Sequence, residues 1–88
     1  MSNKSFVLQI LTPKKKIFSG EIVSLVAPGE LGYIGILANH APLVTTLVPG
    51  NVTWRDASGG TQTMRSTGEG MLEVQHNEAK LLLDDVAV

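Results

Sequence analysis

The chain has 88 residues, 43% hydrophobic and 17% charged, with a net charge of -1 and an isoelectric point near 6.0. Those values fit one small folded domain and exclude a disordered chain or a generic nucleic-acid or anionic-membrane binder. There is no cysteine, hence no disulfide or thiolate site, and the apolar runs fall far short of the ~20 residues that a membrane helix needs.

From the N-terminus, Met1-Ser2-Asn3-Lys4-Ser5 lacks the apolar stretch of a secretory signal, so a cytoplasmic location is the default expectation. Phe6 to Leu11 reads as a strand with Phe6, Leu8 and Ile10 on one face. Thr12-Pro13 ends it, Lys14-Lys15-Lys16 is a solvated bend, and Ile17-Phe18 returns toward the core. Glu21 to Val26 is the next strand, with Ala27-Pro28-Gly29 expected to stop it. Tyr33 to Leu37 is a short strand in which Gly35 suggests a bulge or a close backbone approach. Leu43 to Val48 ends at the turn dipeptide Pro49-Gly50. Asn51 to Asp56 alternates, with Val52 and Trp54 on the core face.

Ala57-Ser58-Gly59-Gly60 reads as a hairpin tip, after which Thr61 to Ser66 pairs back with Met64 as its apolar member. Gly68-Glu69-Gly70 is a tight corner. Met71 to Gln75 and Lys80 to Val86 form a last hairpin through His76-Asn77-Glu78. The run Leu81-Leu82-Leu83 is expected to be covered on both faces. No segment carries a helical apolar stripe, and there is no repeat or linker. The fold class expected is all-β, a small sandwich of two packed, mostly antiparallel sheets.

The most distinctive stretch runs from Pro28 to Leu43. It holds glycines, apolar anchors and a polar corner at Asn39-His40, but no acid–base pair and no metal-ligand cluster. Gly29, Gly32 and Gly35 read first as turn residues with positive φ. Tyr33 reads equally as an interface anchor or as a half-buried strand residue. His40 before Ala41-Pro42 reads as a turn histidine bonded to local backbone, since no serine or cysteine nucleophile is placed beside it. With only His40 and His76 as imidazoles a metal site is not expected, and there is no Gly-x-x-x-x-Gly-Lys-[Ser/Thr] phosphate loop. Lys14-Lys15-Lys16 lacks the aromatic platform of a nucleic-acid site. Glu69, Glu73, Asp84 and Asp85 read as solvated acids. The chain is read as a docking module, not a catalyst.

Three motifs carry a family resemblance. They are Phe18-Ser19-Gly20-Glu21 followed by Val26-Ala27-Pro28-Gly29; Gly32-Tyr33-Ile34-Gly35-Ile36-Leu37 running into Asn39-His40-Ala41-Pro42-Leu43; and Leu72-Glu73-Val74 followed by Asn77 and Leu81-Leu82-Leu83-Asp84. In order and spacing the chain resembles the N-terminal domain of the epsilon subunits of F-type rotary ATP synthases. The resemblance implies a β-sandwich that joins the gamma subunit to the c ring in the rotor of the proton-translocating enzyme. It implies no chemistry of its own, no cofactor, and a peripheral place at the cytoplasmic face of the cell membrane, reached through the complex. It assigns Thr12, His40, Ala41, Pro42, Leu43 and Thr45 to the gamma-facing surface. It assigns Gly29, Glu30, Leu31, Gly32 and Tyr33 to the loop that faces the c ring.

Two departures accompany the resemblance. Family members usually continue into an α-helical hairpin, whereas this sequence stops at Val88, so one sandwich domain over residues 1–88 without the hairpin is expected. Many relatives carry an acid at the position of Tyr33, where the nearest acid here is Glu30. An exposed ion pair contributes under about 1 kcal/mol, so aromatic burial can substitute for it. A biotinyl or lipoyl carrier domain is the alternative small β-sandwich, but no lysine sits at Ala57 to Gly60 or His76 to Ala79.

Overall fold

The computed structural model describes residues 4–87; Met1 to Asn3, on which the signal-segment reading partly rests, and Val88 lie outside them. The described residues contain eight strands and no helix. They are β1 (Phe6–Leu11), β2 (Lys16–Gly29), β3 (Gly32–Leu37), β4 (Leu43–Leu47), β5 (Gly50–Asp56), β6 (Thr61–Ser66), β7 (Gly70–Gln75) and β8 (Glu78–Leu83).

The period-two pattern does what it implies. Phe6, Leu8 and Ile10 are buried along β1, and Val52 and Trp54 along β5. They meet Ile22, Leu25, Ile36, Leu47, Leu72, Leu81 and Leu83 in one core. Each such aliphatic side chain contributes about 1.5–3 kcal/mol on burial, which opposes the backbone entropy lost in ordering so many short strands. Phe18 packs its ring on Trp54 with centroids 5.0 Å apart, so the bend after the lysines does return to the core.

β2 is the element that builds the sandwich. Its first half pairs antiparallel with β1, from Ile22 opposite Phe6 to Lys16 opposite Leu11. The register with β5 shifts between Ile22 and Ser24, and the second half then pairs with β5 on one side and β3 on the other. One long strand with an irregularity at its middle thus belongs to both layers. The second layer is β3-β2-β5-β6. The first is β1-β8-β7-β4, in which β1 and β8 run parallel and stitch the two ends of the described chain together.

Four sequence expectations are corrected. Pro28 and Gly29 do not stop β2; they remain paired with Tyr33 and Gly32. The proline is tolerated because its backbone faces away from β3: its carbonyl accepts the Val48 N–H at 2.9 Å. Gly35 makes neither a bulge nor a close approach, since β3 keeps one register with β2 and a Cβ at Gly35 would meet nothing within 4 Å. Leu82 is not covered on both sides; it is 44% exposed on the outer face, while Leu81 and Leu83 point into the core. Finally, β8 ends at Leu83, and Val86 makes only an isolated bridge to Ser66.

The last hairpin is tighter than the sequence suggests. Gln75 pairs with Glu78, leaving His76 and Asn77 as the turn, with φ of 51° and 58°. Two successive left-handed residues are the signature of a type I′ turn, whose twist matches that of the strands it joins.

Candidate functional site

Two exposed corners project from this body. The first is the β2–β3 hairpin tip. Of its three glycines, only Gly32 has a positive φ, 131°. Gly29 is required for a different reason: a Cβ there would lie 2.6 Å from Ile34 Cδ1 and 2.7 Å from the Gly32 carbonyl oxygen. Between them stand Glu30 and Leu31, and the Leu31 side chain is fully exposed.

The root of this tip is tied to neighbouring strands. The Glu30 N–H donates to the Thr46 carbonyl at 3.3 Å. The Asn51 N–H donates to the Tyr33 hydroxyl at 3.1 Å. Tyr33 lies against the start of β5, where a Cβ on Gly50 would come within 2.9 Å of the Tyr33 hydroxyl and 2.8 Å of Pro28 Cβ. Tyr33 is thus an exposed strand residue, 60% accessible, and not a half-buried one, with its hydroxyl fastened to β5.

The second corner lies between β3 and β4. Asn39 is left-handed at φ 63° and donates its N–H to Asn77 Oδ1 at 2.7 Å. Asn77 Nδ2 in turn donates to the Ser5 carbonyl at 2.9 Å, and the Asn77 carbonyl accepts the Val7 N–H at 3.2 Å. His40 Nδ1–H donates to the Ala41 carbonyl at 2.7 Å, which makes it the locally bonded turn histidine of the sequence reading. Ala41 and Pro42 are exposed, and Leu43 packs partly on the core.

The structure groups these residues unevenly. His40, Ala41, Pro42 and Leu43 are contiguous. Thr45 is half-buried on the same face of β4 as core residue Leu47. Thr12 is distant from His40. It follows Leu11, which sits in a cross-strand row with Leu82, Met71 and Thr46, the residue that also holds Glu30. Thr12 is thus at the hairpin-tip end of the first layer, and His40 is at the Asn77 end. Its side chain closes the β1–β2 turn, where Lys15 N–H donates to Thr12 Oγ1 at 3.3 Å. It borders a shallow groove of about 240 Å³ with Leu11, Pro13, Leu82, Leu83 and Asp84.

Sequence reasoning missed Asn77 as the clamp of the second corner. An Asn between two strand patterns was the available signal, but its partners, Asn39 and Ser5, are remote in the chain.

The family model described as the β-sandwich domain of the ATP synthase delta/epsilon chain matches residues 5–87. The chain belongs to that family. It is 42% identical over 86 residues to an ATP synthase epsilon chain of Chlorobaculum tepidum, covering 98% of this chain and 97% of that one. It is likewise 42% identical over 82 residues to the epsilon chain of Dichelobacter nodosus, covering 93% of this chain but 57% of the relative. The chain therefore spans nearly all of some epsilon chains and little more than half of others.

Among solved structures, a chain from the central stalk and c-ring of Tetrahymena thermophila mitochondrial ATP synthase superposes with a TM-score of 0.82 at 16% identity, over 99% of this chain and 69% of that one. A chain of Euglena gracilis mitochondrial ATP synthase gives 0.88 at 16% identity, over 99% and 55%. At that identity the likeness speaks for the fold. No observation favours a carrier domain over this family.

Proposed function

We propose that the chain is a non-catalytic subunit of the rotor of an F-type ATP synthase, joining the gamma subunit to the c ring at the membrane face of the complex. The observation that carries this reading is the family match over residues 5–87, which covers both exposed corners. Such a role requires a stiff body with separate contact surfaces. Close packing of the two layers supplies stiffness, and the corners lie at opposite ends of β4.

In this reading Leu31 and the rest of Gly29 to Tyr33 meet the polar loops of the c ring. The fastening of Tyr33 to Asn51 keeps Leu31 presented, and the contact rests on aromatic burial at Tyr33 where many relatives carry an acid. His40 to Leu43, together with Thr45, meet gamma. Thr12 contributes to gamma only if that subunit also reaches the hairpin-tip end of the first layer, along the Leu11-Leu82-Met71 ledge. The two surfaces work by contact alone, and the chain needs no cofactor in this role.

Co-expression with a gamma subunit of a related bacterium, followed by size exclusion, tests the reading. A stable one-to-one complex is expected, and separate elution of the two chains would refute it.

A further inference from the structure

β3 pairs with β2 along one side only. Among the described residues, no backbone hydrogen bond outside the strand ladders reaches its other side. The direction of its free groups follows from Pro28, whose carbonyl is taken by Val48. Residue 28 and its partner Tyr33 therefore form a pair without mutual hydrogen bonds. Such pairs alternate with bonded ones in an antiparallel ladder. Ile34 and Ile36 thus bond β2, while Tyr33, Gly35 and Leu37 turn their N–H and C=O groups to the open side.

Exposed edge strands normally carry a charge, a proline or a bulge that discourages pairing. β3, with the sequence Gly32-Tyr33-Ile34-Gly35-Ile36-Leu37, carries none of these. The other edges are obstructed. β6 bears Arg65, and its end is covered where Val86 bridges Ser66 and the Ala87 N–H donates to the Arg65 carbonyl. β4 is capped at Thr46 by Glu30. On the outer face of the β3 edge, Tyr33, Leu37 (65% exposed) and Val26 (40% exposed) form an apolar patch around the open space over Gly35.

We infer that β3 pairs antiparallel with β3 of a second copy of this chain, about a two-fold axis through Gly35. The strand is its own complement in that register. Gly35 meets Gly35, and Tyr33 meets Leu37 on both sides, so every residue with free backbone groups falls opposite another. At each flank Leu37 falls beside the base of Tyr33, whose ring leans back over β2 toward Asn51, and the side chains of the two strands bring no charge together. One strand pair lies at the small end of interface sizes, below roughly 1,200 Å², so the dimer is weak and concentration-dependent. It is a state of the free subunit, and the inference does not depend on the rotor reading.

The chain has no cysteine, so Gly35→Cys places a single thiol at the axis, where a Cβ has room. A hydrogen-bonded antiparallel pair holds its Cα atoms about 5.5 Å apart, within disulfide reach. Under mild oxidation Gly35→Cys is expected to form a covalent dimer roughly tenfold faster than Thr63→Cys on the outer surface of β6, because pairing raises the local thiol concentration. Sedimentation of the unmodified chain is expected to show a reversible dimer that Leu37→Lys abolishes, with the circular dichroism spectrum unchanged. Equal oxidation rates, a chain monomeric to about 1 mM, or a dimer that survives Leu37→Lys would each overturn the inference.

Discussion

The two exposed corners are held by opposite means. The hairpin turn is shaped by its own residues, since Gly29 admits Ile34 and the Gly32 carbonyl and Gly32 takes the positive φ, while Glu30 bonds Thr46 and Tyr33 reaches across β2 to Asn51 at its root. The Asn39-His40 corner is shaped from afar. Its backbone is bonded by Asn77, which also holds the segment before β1. The turn of the tip is set by its own glycines and only its root leans on β4 and β5, whereas the corner is intact only when three distant parts of the chain are assembled. In the proposed rotor role, a surface that exists only in the finished fold would let gamma select folded subunits.

The largest effect should come from the corner. Asn77→Ala removes two side-chain hydrogen bonds and replaces an asparagine, which tolerates a φ of 58°, by a residue that does not. About 2–4 kcal/mol of stability should be lost in urea unfolding. Asn77→Gly keeps the turn and loses only the bonds, so its smaller cost separates clamp from backbone. At the tip, Gly29→Ala forces a Cβ onto a backbone oxygen 2.7 Å away and should cost about 1–3 kcal/mol. Gly35→Ala, in open space at a φ that alanine accepts, should be neutral or gain up to about 1 kcal/mol. Equal costs at Gly29 and Gly35 would contradict this account of the tip.

Tyr33→Phe is a smaller change, about 0.5–1.5 kcal/mol, read most directly as faster amide exchange at Asn51. The smallest lies outside both corners, at the β5–β6 tip. There Asp56 Oδ1 accepts the Ser58 hydroxyl at 2.7 Å and the Gly60 and Ser58 N–H groups at 2.9 and 3.0 Å. The Ser58 hydroxyl foremost, then the Gly60 amide, hold the Asp56 carboxyl below its ordinary value of 3.8. A depressed folded-state pKa means that the contribution is complete above 3.8 and fades as pH falls through the lower folded value. Carbon-detected NMR titration should show Ser58→Ala raising the Asp56 midpoint; an unmoved midpoint would contradict the assignment.

Much of the fold can be read from alternation alone, as β1 and β5 show, because one buried face imposes period two. What escapes is whatever depends on the third dimension. Pro28 reads as a stop because the rule concerns a missing donor, and only the layer crossing of β2 shows which way that missing donor faces. Leu82 reads as buried because three leucines in a row look alike, while β8 has core on one side only. Gly35 looks like a structural glycine but lies in open space. For the candidate surfaces, local motifs mark both corners. The distance between Thr12 and His40 emerges only from the row of paired strands between them.

The most direct test of the rotor reading is co-purification of tagged variants with gamma and with the c ring. Leu31→Asp, at a fully exposed position, should leave stability within about 0.5 kcal/mol and retain gamma while releasing the c ring. His40→Glu should release gamma, and Lys15→Glu, on the exposed β1–β2 turn, should release neither. Equal losses of both partners from all three variants, or none from any, would contradict two separate contact surfaces.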